Sequence, residues 1–221
     1  GNNRIVGASR EQIGGKGYAN GFEGLINYIN GLLPVNEVMG AALRKDVPMY
    51  PELAVREVVA NAVIHQNFFL TGTSPIIEIF DNRMEITNPG IPLIDKERFV
   101  DHPPVSRNEM LASFMRRIGV CEERGSGFDK VVAQTEAFQL PAPEIELYDN
   151  STRVTLFAHK SFSEMSREDR LRASYLHACL KRVNREYLTN ASLRERFQID
   201  VKNSSMISRL LNDACKSGLI K

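Results

Sequence analysis

The chain has 221 residues, 43% of them hydrophobic and 25% charged, which bounds it to an ordinary globular protein with one sizeable core or a core plus a small second domain. No apolar run reaches membrane-span length, and no signal peptide is evident. Cys121, Cys179 and Cys215 are odd in number and lack CxxC spacing, and the four histidines are scattered, which argues against a disulfide framework or a zinc cluster and fits a reducing cytoplasm. Net charge is +1, yet residues 160–221 hold 13 Lys+Arg against 7 Asp+Glu while the residues before them are net acidic. That asymmetry suggests two units, the second suited to a polyanion.

The chain opens on Gly1 rather than Met, in mid-pattern, and reads as a piece of a longer protein. Residues 1–17 are Gly-rich, with a strand expected around Arg4–Gly7. Asn20 is placed to cap a packing helix whose stripe is Phe22, Leu25, Ile26, Ile29, Leu32 and Leu33, stopped by Pro34. Irregular chain or short strand follows over 35–49. Pro51 then suits the first turn of a helix ending near His65, with Leu53, Ala54, Ala60 and Ile64 as its apolar stripe. On this helix Glu57 and Asn61 are four residues apart and share a face. Alone, they read equally as a hydrogen-bonded helix edge.

Ser74–Phe80 and Arg83–Thr87 form a predicted hairpin about Asp81-Asn82, with Met84 and Ile86 on one face and Asn88-Pro89-Gly90 ending it. A long connection over 91–123 contains Ser106-Arg107-Asn108 and a helical stretch, Glu109–Ile118. Gly125-Ser126-Gly127 opens another helix, Phe128–Phe138. Two more strands, Glu144–Tyr148 and Thr152–Ala158, turn at Asp149-Asn150-Ser151. The expected organisation is a first domain over 1–160, a linker over 161–166 and a basic helical domain over 167–221. The last contains helices at Arg167–Val183, near Asn190 and at Asn203–Lys216. Gly218 stops the third, and a strand is expected to begin at Leu219-Ile220, a winged helix-turn-helix pattern.

Three elements line up in order: the Glu57…Asn61 helix, Asn88-Pro89-Gly90, and Gly125-Ser126-Gly127 before a helix. Their order and spacing resemble the GHKL superfamily of ATP-binding domains, which includes sensor histidine kinases, gyrase B and MutL. More closely, Tyr50–Phe68, Asp81–Gly90, Ser106-Arg107-Asn108 and Glu123–Gly127 resemble the divergent branch described as RecG-related helicases or transcriptional regulators, often ending in a winged helix. The resemblance implies an α+β fold, a GHKL (histidine kinase-like ATPase) α/β sandwich with a mixed sheet, followed by the small winged helix-turn-helix domain.

It also implies a Mg-ATP site. Asn61 would supply a neutral oxygen to Mg²⁺, and Glu57 would be the general base for a water attacking the γ-phosphate. Gly90 would let the backbone approach the base or ribose, with Asn88 where the superfamily usually has an Asp that accepts from adenine. Gly125, Ser126 and Gly127 would offer N–H groups to phosphates, under a lid over 91–123 bearing Ser106 and Arg107. Arg107 would equally suit an ion pair with a lid carboxylate. His65-Gln66-Asn67-Phe68 stands where the branch has His-Arg-Asp-Tyr, which points to slow turnover or none. No GxxxxGK[ST] loop supports a helicase motor, and no His on a preceding dimerisation helix supports a histidine kinase.

In the basic tail, Lys202, Asn203, Ser204, Ser205, Ser208 and Arg209 are the candidate DNA contacts, cations for phosphates and amides or hydroxyls for base edges. A dimerisation surface or a solvated basic face is the alternative there. Three readings of the whole stand: a nucleotide-sensing DNA-binding transcriptional regulator, a Mg-dependent ATPase using Glu57, and a DNA-binding or dimerisation module with a vestigial ATP fold.

Overall fold

The computed structural model describes residues 13, 15–39, 44–100, 102–103, 105–121 and 127–220. The strand expected at Arg4–Gly7 lies outside them. Element order is α1 (Tyr18–Leu32), β1 (Val35–Met39), β2 (Arg44–Pro48), α2 (Glu52–Ile64), β3 (Ile76–Phe80), β4 (Arg83–Pro89), α3 (Glu109–Arg117), α4 (Phe128–Ala137), β5 (Glu144–Tyr148), β6 (Ser151–Phe157), α5 (Arg167–Val183), α6 (Asn190–Arg196) and α7 (Ser204–Lys216). Short 3-10 turns occur at Lys96–Arg98 and Val201–Asn203. Among the described residues, no helix is long and apolar enough to cross a membrane.

The sheet is four-stranded, in the order β3-β4-β6-β5, and every pairing in it is antiparallel. The expected mixed sheet is therefore corrected. Short turns link β3 to β4 and β5 to β6, and such hairpins join only antiparallel neighbours. A separate hairpin, β1 with β2, occupies much of the stretch expected to be irregular chain or short strand. Period-two alternation sends Met84, Ile86 and Asn88 of β4 to one face, opposite Leu156, Val154 and Thr152 of β6. The other face is salted. Glu85 lies between Arg83 (2.6 Å) and Arg153 (3.3 Å), whose guanidiniums sit over Phe80 and Tyr148.

Helix α2 is the centre of the core. Ala54, Val55, Val58, Val59, Ala60, Ala62, Val63 and Ile64 are all buried, because α1 and α4 flank it and β4 lies against it. A one-sided apolar stripe is thus replaced by burial around most of the circumference, and Leu53 is the exposed member of the expected stripe. Helix α1 buries Phe22, Ile26 and Ile29 as the pattern implies. Its N-cap is Gly17, with Asn20 inside the first turn, so the expected Asn20 cap is not formed.

The C-terminal helices are capped by their own sequence. Ser166 and Asp169 form a capping box at α5, and Thr189 and Ser192 another at α6. Asn190 Nδ2 donates to Ser204 O and Ser208 Oγ, tying α6 to α7. The strand expected at Leu219-Ile220 is absent. Gly218, at φ +71°, and the Leu219 N–H to Ala214 O bond of 3.1 Å close α7 in a Schellman turn. The expected linker is packed: Met165 is buried, and Phe162 meets Phe197 edge-on at 5.0 Å.

The face assignment of the sheet is checked by paired truncations. Ile86→Ala, inside, is expected to cost about 2–5 kcal/mol in urea melts. Ile76→Ala, on the half-exposed outer face of β3, is expected to cost less than about 1 kcal/mol.

Candidate functional site

One cleft opens between the middle of α2, the end of β4, the segment after it and the start of α4. Glu57, Asn61, Asn88, Gly90, Ser106, Arg107 and Gly127 all line it. Gly125 and Ser126 lie outside the described residues. Seven candidate positions from four chain segments thus meet at one place.

The pair on α2 is joined directly: Asn61 Nδ2 donates to Glu57 Oε1 at 3.2 Å. Burial pushes the Glu57 carboxyl above its usual range, and the Asn61 bond, then the nearby Lys130 charge, hold it back. The start of α4 rests on this pair. A Cβ built on Gly127 would lie 2.9 Å from Glu57 Oε1 and 3.6 Å from Asn61 Nδ2, so a side chain there would displace the carboxylate. Asp129, in the first turn of α4, also lines the cleft, and its carboxyl is pushed up by burial.

Gly90 is required for a reason the sequence does not show. Its φ is +103°, and a Cβ would meet Asn67 Cβ at 2.9 Å. The turn is then locked by Gly90 N–H to Asn150 O and by Thr152 Oγ1 to Gly90 O, both 2.7 Å. Asn88 turns its amide nitrogen to Pro89 O at 3.3 Å, which leaves the amide oxygen as its acceptor toward a ligand.

Arg107 reaches across to donate from Nη2 to Ile91 O at 2.7 Å, while its Nε is buried without a partner. The alternative pairing with a lid carboxylate is not formed among the described residues. Next to it, Asn108 Nδ2 donates to Ile64 O (2.7 Å) and Gln66 O (2.8 Å), satisfying two carbonyls at the end of α2. Burial, then the Arg107 charge, lowers the pKa of His65. Asn108, Thr152, His65 and Asp129 were not among the sequence candidates. Asn108 had a visible signal, since it completes Ser106-Arg107-Asn108, and Thr152 shares the inward parity of β6.

Residues 72–156 match the family described as "Putative ATP-dependent DNA helicase recG C-terminal". This segment is therefore similar to a RecG-related ATPase-like domain. No curated protein matches the chain. The crystal structure of the DIP2311 protein from Corynebacterium diphtheriae is similar at a TM-score of 0.60 and 20% identity, over 88% of this chain and 41% of that one. That likeness is one of fold, and the chain spans less than half the length of its structural relative.

The RecG-related segment supplies Asn88, Gly90, Ser106, Arg107, Gly127 and Thr152, while Glu57 and Asn61 come from the helix before it. The candidate DNA residues are elsewhere, at the start of α7 and the turn before it. Lys202, Asn203, Ser205, Ser208 and Arg209 are exposed, and Ser204 is half-buried with its carbonyl on Asn190.

Because the folded Glu57 pKa is raised, its contribution to stability is full below the unfolded pKa and lost as pH rises through the folded one. Glu57→Gln does not titrate. Its melting temperature is expected to match wild type near pH 4 and to exceed it by a few degrees at pH 8, read by calorimetry at both pH values.

Proposed function

We propose that the cleft binds Mg-ATP, turns it over slowly or not at all, and belongs to a nucleotide-sensing regulator whose C-terminal helices meet DNA. The observation that carries the nucleotide reading is the convergence of Glu57, Asn61, Asn88, Gly90, Arg107 and Gly127 on one cleft formed largely by a RecG-related ATPase-like segment.

The donor set suits Mg²⁺. Asn61 commits its amide nitrogen to Glu57, which leaves its carbonyl oxygen, a hard neutral ligand, for the cation. Among the described residues no three His, Cys, Asp or Glu gather as a metal cage, so phosphates and water would fill most of the coordination. When bound, Mg²⁺ supplies charge neutralisation on the phosphate oxygens. Glu57 is then the base, held by Asn61 and kept proton-hungry by burial. Asn88 would accept a donor from the base through its amide oxygen.

Slow turnover follows from the cations. Arg107 and Arg116 are the Lys or Arg side chains among the described lining residues, and Arg107 is tethered through Nη2 to Ile91 O. Stabilising charge on a transferring phosphoryl group is worth orders of magnitude in rate, so a lining with two such cations, one of them tethered, favours binding over hydrolysis. The second reading, a working ATPase, draws on the Glu57 geometry. A vestigial fold is the third.

Titration with ATP, with and without Mg²⁺, separates these readings. Wild type is expected to bind only with Mg²⁺ and Asn61→Ala to lose about tenfold or more in affinity, since a tenfold change is about 1.4 kcal/mol, the scale of one ligand contact. Phosphate release is expected below about 0.01 per second. Rapid release abolished by Glu57→Ala would establish the ATPase reading instead, and no binding would establish the vestigial one.

For DNA, α6 and α7 form a helix pair with Lys202 and Arg209 exposed at one end. Part of the positive surplus is used internally, where Arg172 pairs with Glu144 and Arg196 with Glu136, acids from before the segment. Duplex binding is therefore expected to be salt-dependent but modest. Lys202→Ala with Arg209→Ala should flatten the slope of log affinity against log salt by about 2, in a fluorescence anisotropy series.

A further inference from the structure

Beyond the cleft, a cluster of largely buried charges sits at the far end of α4. Glu136 Oε2 meets His177 Nδ1 of α5 at 2.9 Å, and its Oε1 lies 3.3 Å from Arg196 Nε of α6. Arg196 Nη2 donates to Leu140 O, just past α4, at 2.6 Å. Arg196 is 3% exposed and His177 6%, so both polar groups depend on these partners. The cluster is incompletely satisfied: Glu136 Oε1, His177 Nε2 and Arg196 Nε have no well-formed hydrogen bond. A buried network with leftover donors and acceptors contributes little net stability, and its best attested use is to set register or switch between arrangements.

The opposite end of the same helix is in the cleft. Gly127 lies close enough to Glu57 and Asn61 that an added Cβ would meet Glu57 Oε1 at 2.9 Å, and Gly127, Phe128 and Asp129 all line the site. Between Gly127 and Glu136 lie nine residues of helix rise, about 14 Å. Helix α4 is packed along α2, and Val131 and Val132 are fully buried in the middle of it. Such a rod moves as a unit, because a close-packed core resists gradual deformation.

We propose that α4 is a relay, through which a change at the Gly127 end of the cleft is read by α5 and α6 at the Glu136–His177–Arg196 cluster. A ligand displacing Glu57 or Asn61 would shift the start of α4, and the ion cluster would re-form in a second arrangement at its end. The relay deepens the nucleotide reading and rests on it only where nucleotide is the trigger. Coupling of this kind is reciprocal, so whatever engages the C-terminal helices also changes affinity in the cleft.

The test uses hydrogen–deuterium exchange at residues 190–196 of the whole chain, first without ligand. Gly127→Ala pushes on Glu57 from inside, with Glu57→Gln as a gentler perturbation should Gly127→Ala unfold. Glu136→Gln uncouples the far end, and Glu136→Met with Arg196→Met does so with the buried charges replaced by apolar volume. The relay predicts at least a fivefold change in α6 exchange for the cleft variant, reduced to less than twofold when either uncoupling change is added. Glu144→Gln, which breaks the Arg172 pair on β5 rather than on α4, should leave the response intact. Unchanged α6 exchange in both cleft variants, or a response that survives both uncoupling changes, overturns the relay.

A second arm adds a non-hydrolysable ATP analogue with Mg²⁺. Binding that alters α6 exchange in wild type but not in Glu136→Gln supports the relay, and binding with no effect at α6 overturns it. Failure to bind, together with a positive ligand-free result, removes the nucleotide reading and leaves the relay standing.

Discussion

The structure depends on the burial of α2. Small and β-branched residues, from Ala54 to Ile64, let α1, α4 and β4 close on it from several sides. Glu57 and Asn61 are the polar residues of that helix that line the cleft, and their i, i+4 spacing lets them satisfy each other. Burial then gives the pair its chemistry. It raises the carboxyl pKa, while the bond to Glu57 occupies the Asn61 amide nitrogen and leaves its oxygen outside the pair.

The surrounding backbone is shaped to that helix. Gly127 lacks a side chain because Glu57 Oε1 is in the way, and Gly90 lacks one because Asn67 is. Asn108 closes the end of α2 with one amide and, by its place in the chain, sets Arg107 across the mouth of the cleft. The departures at Gln66 and Asn67 also acquire a physical meaning. Gln66 is buried with its amide on Val63 O, and Asn67 is the surface against which Gly90 turns. Both side chains act in holding the cleft's walls.

The C-terminal helices dock on the first part of the chain through charges as well as apolar contacts. Arg172 bonds to Ala142 O and Glu144, Arg196 to Leu140 O, and the Tyr175 hydroxyl to Glu97 O. A count of cations along this segment therefore overstates its free positive surface. Glu136 of α4, against His177 and Arg196, adds a physical connection from that helix to α5 and α6.

Much of the local structure was legible in the sequence. Pro51 before a helix, the Asp81-Asn82 hairpin, the Ser166 and Thr189 starts and the Gly218 stop all act within a turn or two of chain, where residue type decides conformation. Glu57, Asn61, Asn88, Gly90 and Gly127, singled out by their order and spacing, all line one cleft. The all-antiparallel sheet, the fit of Gly127 to Glu57, the turn of Gly90 on Asn67 and the staple from Asn108 to α2 were not legible. Nor was the burial of Arg196 and His177, which as isolated letters read as a basic surface. These features belong to contacts between residues far apart in the chain. The sequence by itself determined the elements and the polar pair on α2, and the tertiary structure decided which residues stand around that pair and which partners meet at the far end of α4, because only packing brings those partners within van der Waals reach.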